Sequence, residues 1–76
     1  MMPLTMAKPG ELHYITGITG RDETRQHLAT MGFVVGEGVT VLSRIAGNLI
    51  LSVKDTRVAL DRGMANRIMI EGGEGR

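Results

Sequence analysis

The chain has two imidazoles, His13 and His27, and no cysteine. A protein metal site needs several His, Cys, Asp or Glu ligands at set spacings. Neither histidine stands in an H-x-x-x-H or H-x-x-E pair. Each therefore reads as a lone ring, His13 on a strand and His27 on a helix. Glu23, four residues before His27, suits a surface ion pair with it. The six methionines divide in two. Met31, Met64 and Met69 fall at apolar positions of the pattern, where a thioether fills core gaps. Met1, Met2 and Met6 belong to the N-terminal segment, with Met6 placed to pack. Nucleophilic chemistry finds no support. Ser43 and Ser52 sit in strand patterns without a G-x-S-x-G elbow. Asp55 and Asp61 fit a turn and a helix cap. No G-x-x-x-x-G-K-[ST] phosphate loop occurs. The expectation is a non-enzyme with no catalytic residue and no cofactor. Weak divalent-ion binding is the one cofactor chemistry left open.

The arginines carry the remaining possibilities. Arg21 and Arg25 bracket a helix start, on the side away from Leu28 and Met31. Arg57, Arg62 and Arg67 lie around the last turns. A solvated face is the simple reading, and recognition of a partner's carboxylate or phosphate is the functional one. Nine basic and eight acidic residues nearly cancel, leaving a net charge of +1. Tyr14 and Phe33 are the only aromatics. That combination provides neither counterion release nor a stacking platform for nucleic acid.

Those side chains need elements to hold them. Seventy-six residues make one domain, expected over residues 1–71, with a flexible tail at 72–76. A domain this small buries only about 60–65% of its unfolded surface. A pocket of roughly 300–1,000 Å³ would displace much of such a core, so the working surface should be the exterior. No apolar run approaches the ~20 residues of a membrane span, and the N-terminus lacks a signal-peptide stretch. A soluble, cytoplasmic protein is expected.

Eleven glycines separate short β-branched segments, a pattern of a small barrel or sandwich. Strands are expected at residues 4–7 (an edge piece), 12–18, 39–45, 49–54, 57–60 and 67–71, five or six in all. In the third, Val39 and Val41 should face one way and Thr40, Leu42 and Arg44 the other. Gly47-Asn48 and Asp55-Thr56 should form the turns. One helix is expected at residues 23–31, with Asp22 as N-cap accepting from the N–H of Thr24 or Arg25. Gly32 is placed at C′ with positive φ, making Leu28 C3 and Phe33 C″, the apolar clasp of a Schellman stop. Gly36 serves the next turn. Asp61 should cap a single helical turn at residues 61–66.

The order of these pieces resembles the FeoA family: PGE before a strand, HLATMGF closing a helix, then VGEGVTVL, GNLILSV and RVALDRGMANRIMI. The match spans about residues 3–71. It places Leu28, Met31, Gly32, Phe33 and Gly36 at the family's helix stop and turn. It places Ala59, Leu60, Ala65, Ile68 and Ile70 at its last strands. His27 stands where the family often has arginine, and Val35 and Leu49 where it often has proline. The resemblance implies an SH3-like barrel with one inserted helix. It also implies an accessory role in bacterial ferrous-iron uptake, bound to the cytosolic part of the FeoB transporter, which carries a GTP-binding domain. Recruitment to the inner face of the membrane would come through that partner. The expected docking region is the helix and its flanking loop, with Arg21, Arg25, Gln26 and His27 as polar contacts and any uncovered part of Leu28, Met31 or Phe33 as anchor. Phe33 is expected in the core. Two rival readings are a metal-responsive domain like the C-terminal domain of iron-dependent repressors, and a generic SH3-like interaction module. Edge strands leave homo-oligomers possible.

Overall fold

Strict alternation decides the strand at residues 48–53. Leu49, Leu51 and Val53 are buried, while Ile50 and Ser52 between them are half-exposed. A computed structural model of the protein describes residues 1–71, so the tail expected at 72–76 lies outside the described residues. The chain runs β1 (Met2–Pro3), a 3-10 turn (Leu4–Met6), β2 (Leu12–Ile18), α1 (Asp22–Thr30) and β3 (Gly38–Ile45). It continues through β4 (Asn48–Val53), β5 (Thr56–Asp61), α2 (Arg62–Ala65) and β6 (Ile68–Ile70). The strands form one antiparallel sheet in the order β1-β6-β2-β3-β4-β5. It wraps a single core that includes Leu4, Ile15, Phe33, Val41, Leu51 and Ile68. No helix of the described residues is long and apolar enough to cross a membrane.

The edge strand expected at residues 4–7 is instead a 3-10 turn. Its period of three residues puts positions i and i+3 on one side. Leu4 and Ala7 thereby both enter the core, closed by the Ala7 N–H donating to the Leu4 carbonyl at 3.0 Å. Met6 is left outside, 66% exposed, and does not pack.

Both central hairpins turn one residue earlier than expected. Ala46 (φ 51°) and Gly47 (φ 83°) join Ile45 to its partner Asn48. Lys54 (φ 51°) and Asp55 (φ 61°) join Val53 to Thr56. Two successive positive φ angles match the strand twist of a two-residue hairpin. Ala46 and Lys54 are poor residues for that conformation, at about 1 kcal/mol each. Slipping the register by one would turn Leu49, Leu51 and Val53 to solvent. Each such side chain is worth about 1.5–3 kcal/mol buried, so the core dictates the turn.

The helix starts one residue early. Arg21, extended at φ −74° and ψ 159°, is the N-cap, and no side chain caps it. Asp22 is the first helical residue rather than the cap, and its carboxylate lies 3.4 Å from Arg25 Nη2. An acid in this first turn still favours the helix dipole. The other end is the expected Schellman stop. The Phe33 N–H donates to the Leu28 carbonyl at 3.0 Å, and the Gly32 N–H to that of Ala29 at 2.9 Å. Gly36 (φ 94°) then donates to the Ile15 carbonyl at 2.8 Å, stitching the loop after α1 onto β2. Asp61 caps α2 as expected, accepting from the Met64 N–H at 2.8 Å.

Candidate functional site

α1 is held on the barrel by very little. Only Leu28 of its nine residues is buried. A nine-residue helix is marginal in water by itself. Its order therefore rests on Leu28, on the clasp to Phe33 and on the half-buried Met31 beyond its end. The exposed surface of the helix presents Arg25, Gln26 and His27 to solvent, with Arg21 exposed just before its start. Asp22, Arg25, Gln26 and Ala29 together line a shallow dip along that face. Glu23 and His27 do not pair among the described residues; the His27 carbonyl instead accepts from the Thr30 hydroxyl at 2.6 Å.

These placements revise the expected anchors. Leu28 and Phe33 are fully enclosed and offer nothing to a partner. They are the pins that hold the helix, because the clasp brings both under it. Met31 alone keeps surface. It lines an open groove of about 450 Å³ between the end of α1 and the β4–β5 hairpin, with Ala29, Val53, Lys54 and Val58. Gly32 and Gly36 act in the turns as expected.

His13 is the one buried polar side chain among the described residues, 2% exposed on β2. Glu11 Oε1 approaches its Nε2 at 3.3 Å. Yet neither ring nitrogen makes a hydrogen bond. Distance and geometry disagree here, and geometry decides, because a misdirected N–H returns little of its lost hydration. Among the described residues no three His, Cys, Asp or Glu side chains converge to hold a metal, so His13 has no ligand partners either. An unsatisfied buried group costs about 1–3 kcal/mol. His13→Leu should thus raise stability by about 1–2 kcal/mol in urea unfolding. A fall of that size would mean that the Glu11 contact has net value.

Arg44 is the residue whose placement differs most from expectation. It does not follow Thr40 to the outer face. The β3–β4 register shifts between Val41 and Ser43, a bulge at Leu42, and Arg44 pairs across with the inward Leu49. Bulges re-aim side chains in this way. The Arg44 Nη2 donates to the carbonyls of Thr5 at 2.8 Å and Ala7 at 2.7 Å, tying β3 to the N-terminal segment. No glycine marks the bulge in LSRI, so alternation alone points this arginine the wrong way.

The comparisons agree with this geometry along nearly the whole chain. A sequence model of the FeoA domain matches residues 2–72. A Methanocaldococcus jannaschii protein provisionally named Fe(2+) transport protein A is 35% identical over 74 residues, 97% of this chain and 90% of that one. A crystal structure of the iron uptake regulatory protein FeoA matches at a TM-score of 0.84 and 33% identity, over 91% of this chain and 93% of that one. The zinc complex of Stenotrophomonas maltophilia FeoA, described as a prokaryotic SH3 domain protein, matches at a TM-score of 0.81 and 23% identity, over 93% of this chain and 91% of that one. That last likeness is one of fold, and it is the expected SH3-like barrel with one inserted helix. Matched by the family model over residues 2–72 and 35% identical to its archaeal relative along 97% of its length, the chain belongs to the FeoA family.

Proposed function

We propose that this chain is a non-enzymatic accessory protein of ferrous-iron uptake that docks through α1 on the cytosolic part of an FeoB-type transporter. The family and the name of its archaeal relative support the transport role. The observation that carries the docking surface is the helix itself, pinned by one buried leucine with its polar face free. A helix kept mainly for packing would bury a whole stripe. Arg21, Arg25, Gln26 and His27 supply the polar contacts, and Met31 in its groove the apolar one. Such a partner biases the transporter's assembly or nucleotide state only by binding one state more tightly than another.

Calorimetric titration against the cytosolic part of the cognate transporter tests this. Arg21→Ala/Arg25→Ala should weaken binding about tenfold, which is about 1.4 kcal/mol, with an unchanged unfolding midpoint. Undiminished affinity would remove α1 from the interface. No binding by the wild-type chain would remove the partner.

A further inference from the structure

At the end of β4 away from the groove beside Met31, a second concavity gathers cations without acids. It is a cleft of about 280 Å³ lined by Thr5, Arg44, Gly47, Asn48, Leu49 and Arg62. Four separate segments meet there: the N-terminal 3-10 turn, the end of β3, the turn into β4 and the start of α2. We propose that this cleft is a binding site for a phosphate-type oxyanion, held between the guanidinium groups of Arg44 and Arg62.

Arg44 is already in place. The bulge at Leu42 turns it to the Leu49 side of the sheet, where the side chain stays exposed, and its Nη2 is held by the Thr5 and Ala7 carbonyls. Fixing a long side chain beforehand removes much of the entropy a ligand would otherwise cost. Those two bonds use Nη2 alone, and among the described residues Nε and Nη1 make none. A guanidinium has five N–H donors and no acceptor, so the unspent edge needs an acceptor from outside.

The charge is uncompensated as well. Among the described residues neither Arg44 nor Arg62 has a carboxylate within 4.0 Å. Asp61, cross-strand partner of Asn48, is the nearby acid by register, and its Oδ1 is occupied as the α2 cap. The Asn48 amide likewise makes no hydrogen bond within the described residues. Gly47, with no heavy atom within 4 Å of a Cβ position, leaves the mouth open. The buried Leu49 gives the cleft an apolar floor, which strengthens attraction for an anion. Two guanidinium forks and an amide donor match a tetrahedral dianion with several acceptor oxygens. The volume suits one such group, not a large cofactor.

The test is an NMR titration of the full chain with inorganic phosphate at constant ionic strength, with chloride as the comparison salt. Saturable one-site shifts centred on Gly47 and Asn48 are expected with phosphate and not with chloride. Arg62→Gln should weaken them about tenfold or more, while Arg57→Gln, on β5 and outside the cleft lining, leaves them unchanged. Arg44→Lys should weaken them too; if that variant unfolds, Arg62→Gln still decides. Glycerol phosphate separates the sources. Tighter binding than inorganic phosphate points to an organic phosphomonoester, and equal binding to the free ion. Shifts that do not saturate, that chloride reproduces, or that survive Arg62→Gln would overturn the site.

Discussion

Phe33→Ala should destabilise the protein by about 3–5 kcal/mol, the usual cost of deleting a buried ring. A chain of 76 residues has only about 4–11 kcal/mol to lose. For a domain of this size that loss lowers the melting temperature by about 15–30 °C. The reason for so large an effect is position. Phe33 is the largest fully buried side chain, and it is also the C″ partner of Leu28. Removing the ring opens the core and releases one of the two pins under α1, leaving Leu28 without its partner. The helix should therefore fray before the barrel melts, seen as early loss of amide protection at Gln26–Leu28 in hydrogen exchange. Val35→Ala, two residues further on at a side chain 66% exposed, should stay within about 0.5 kcal/mol. If Phe33→Ala cost no more than Val35→Ala, the ring would not be the keystone of the fold.

This keystone was readable in the sequence because it rests on local chemistry. LATMGF carries its own instructions: an apolar C3, a glycine that tolerates positive φ, and an apolar C″. The cap at Asp61 and the alternation of Leu49, Leu51 and Val53 were legible for the same reason. Each is decided within a few residues. What was not legible depended on distant partners. The turn phases at Ala46-Gly47 and Lys54-Asp55 follow from which side chains enter the core, and that choice overrides the preference for Asn or Asp. The 3-10 turn at Leu4–Met6 exists because Leu4 and Ala7 must both reach one core. The bulge at Leu42 exists only as a mismatch between two strands. No single-strand pattern contains it, and with it went the true direction of Arg44.

The candidate surface divides along the same line. Arg21, Arg25, Gln26 and His27 are expected outside because they are polar side chains on and before a short helix, and they are exposed. Leu28 was named as a contact because exposure on a short helix cannot be told from period alone. The fold buries it completely, which makes the helix a polar reader backed by an apolar pin. The cleft at Arg44 and Arg62 had half a signal: Arg62 stood among the arginines that could meet a carboxylate or phosphate, but its companion was assigned to the other face. Two arginines 18 positions apart converge only after a hairpin, a strand and a bulge bring them together.

Gly32→Val carries the second large effect, and its size separates two causes. Gly32 has φ +103°, where any side chain is strained by about 1–2 kcal/mol. Gly32→Ala should cost about that much. Its Cβ would lie 3.3 Å from Lys54 Cδ and 3.5 Å from Val53 Cγ2. The lysine can yield only by disturbing its 2.9 Å pair with Glu37, a loss worth less than about 1 kcal/mol at the surface. Valine adds two γ carbons toward Val53, which is buried in the core and has no room to retreat. Overpacking of that kind costs a further 1–3 kcal/mol or so, bringing Gly32→Val to about 2–4 kcal/mol. Urea unfolding of Gly32→Val in the wild-type and in a Val53→Ala background distinguishes the terms: φ strain alone predicts equal losses, and contact with Val53 predicts a smaller loss in the Val53→Ala background. An unchanged midpoint in both would mean that α1 does not end at Gly32, and the clasp that presents its polar face would have to be built elsewhere.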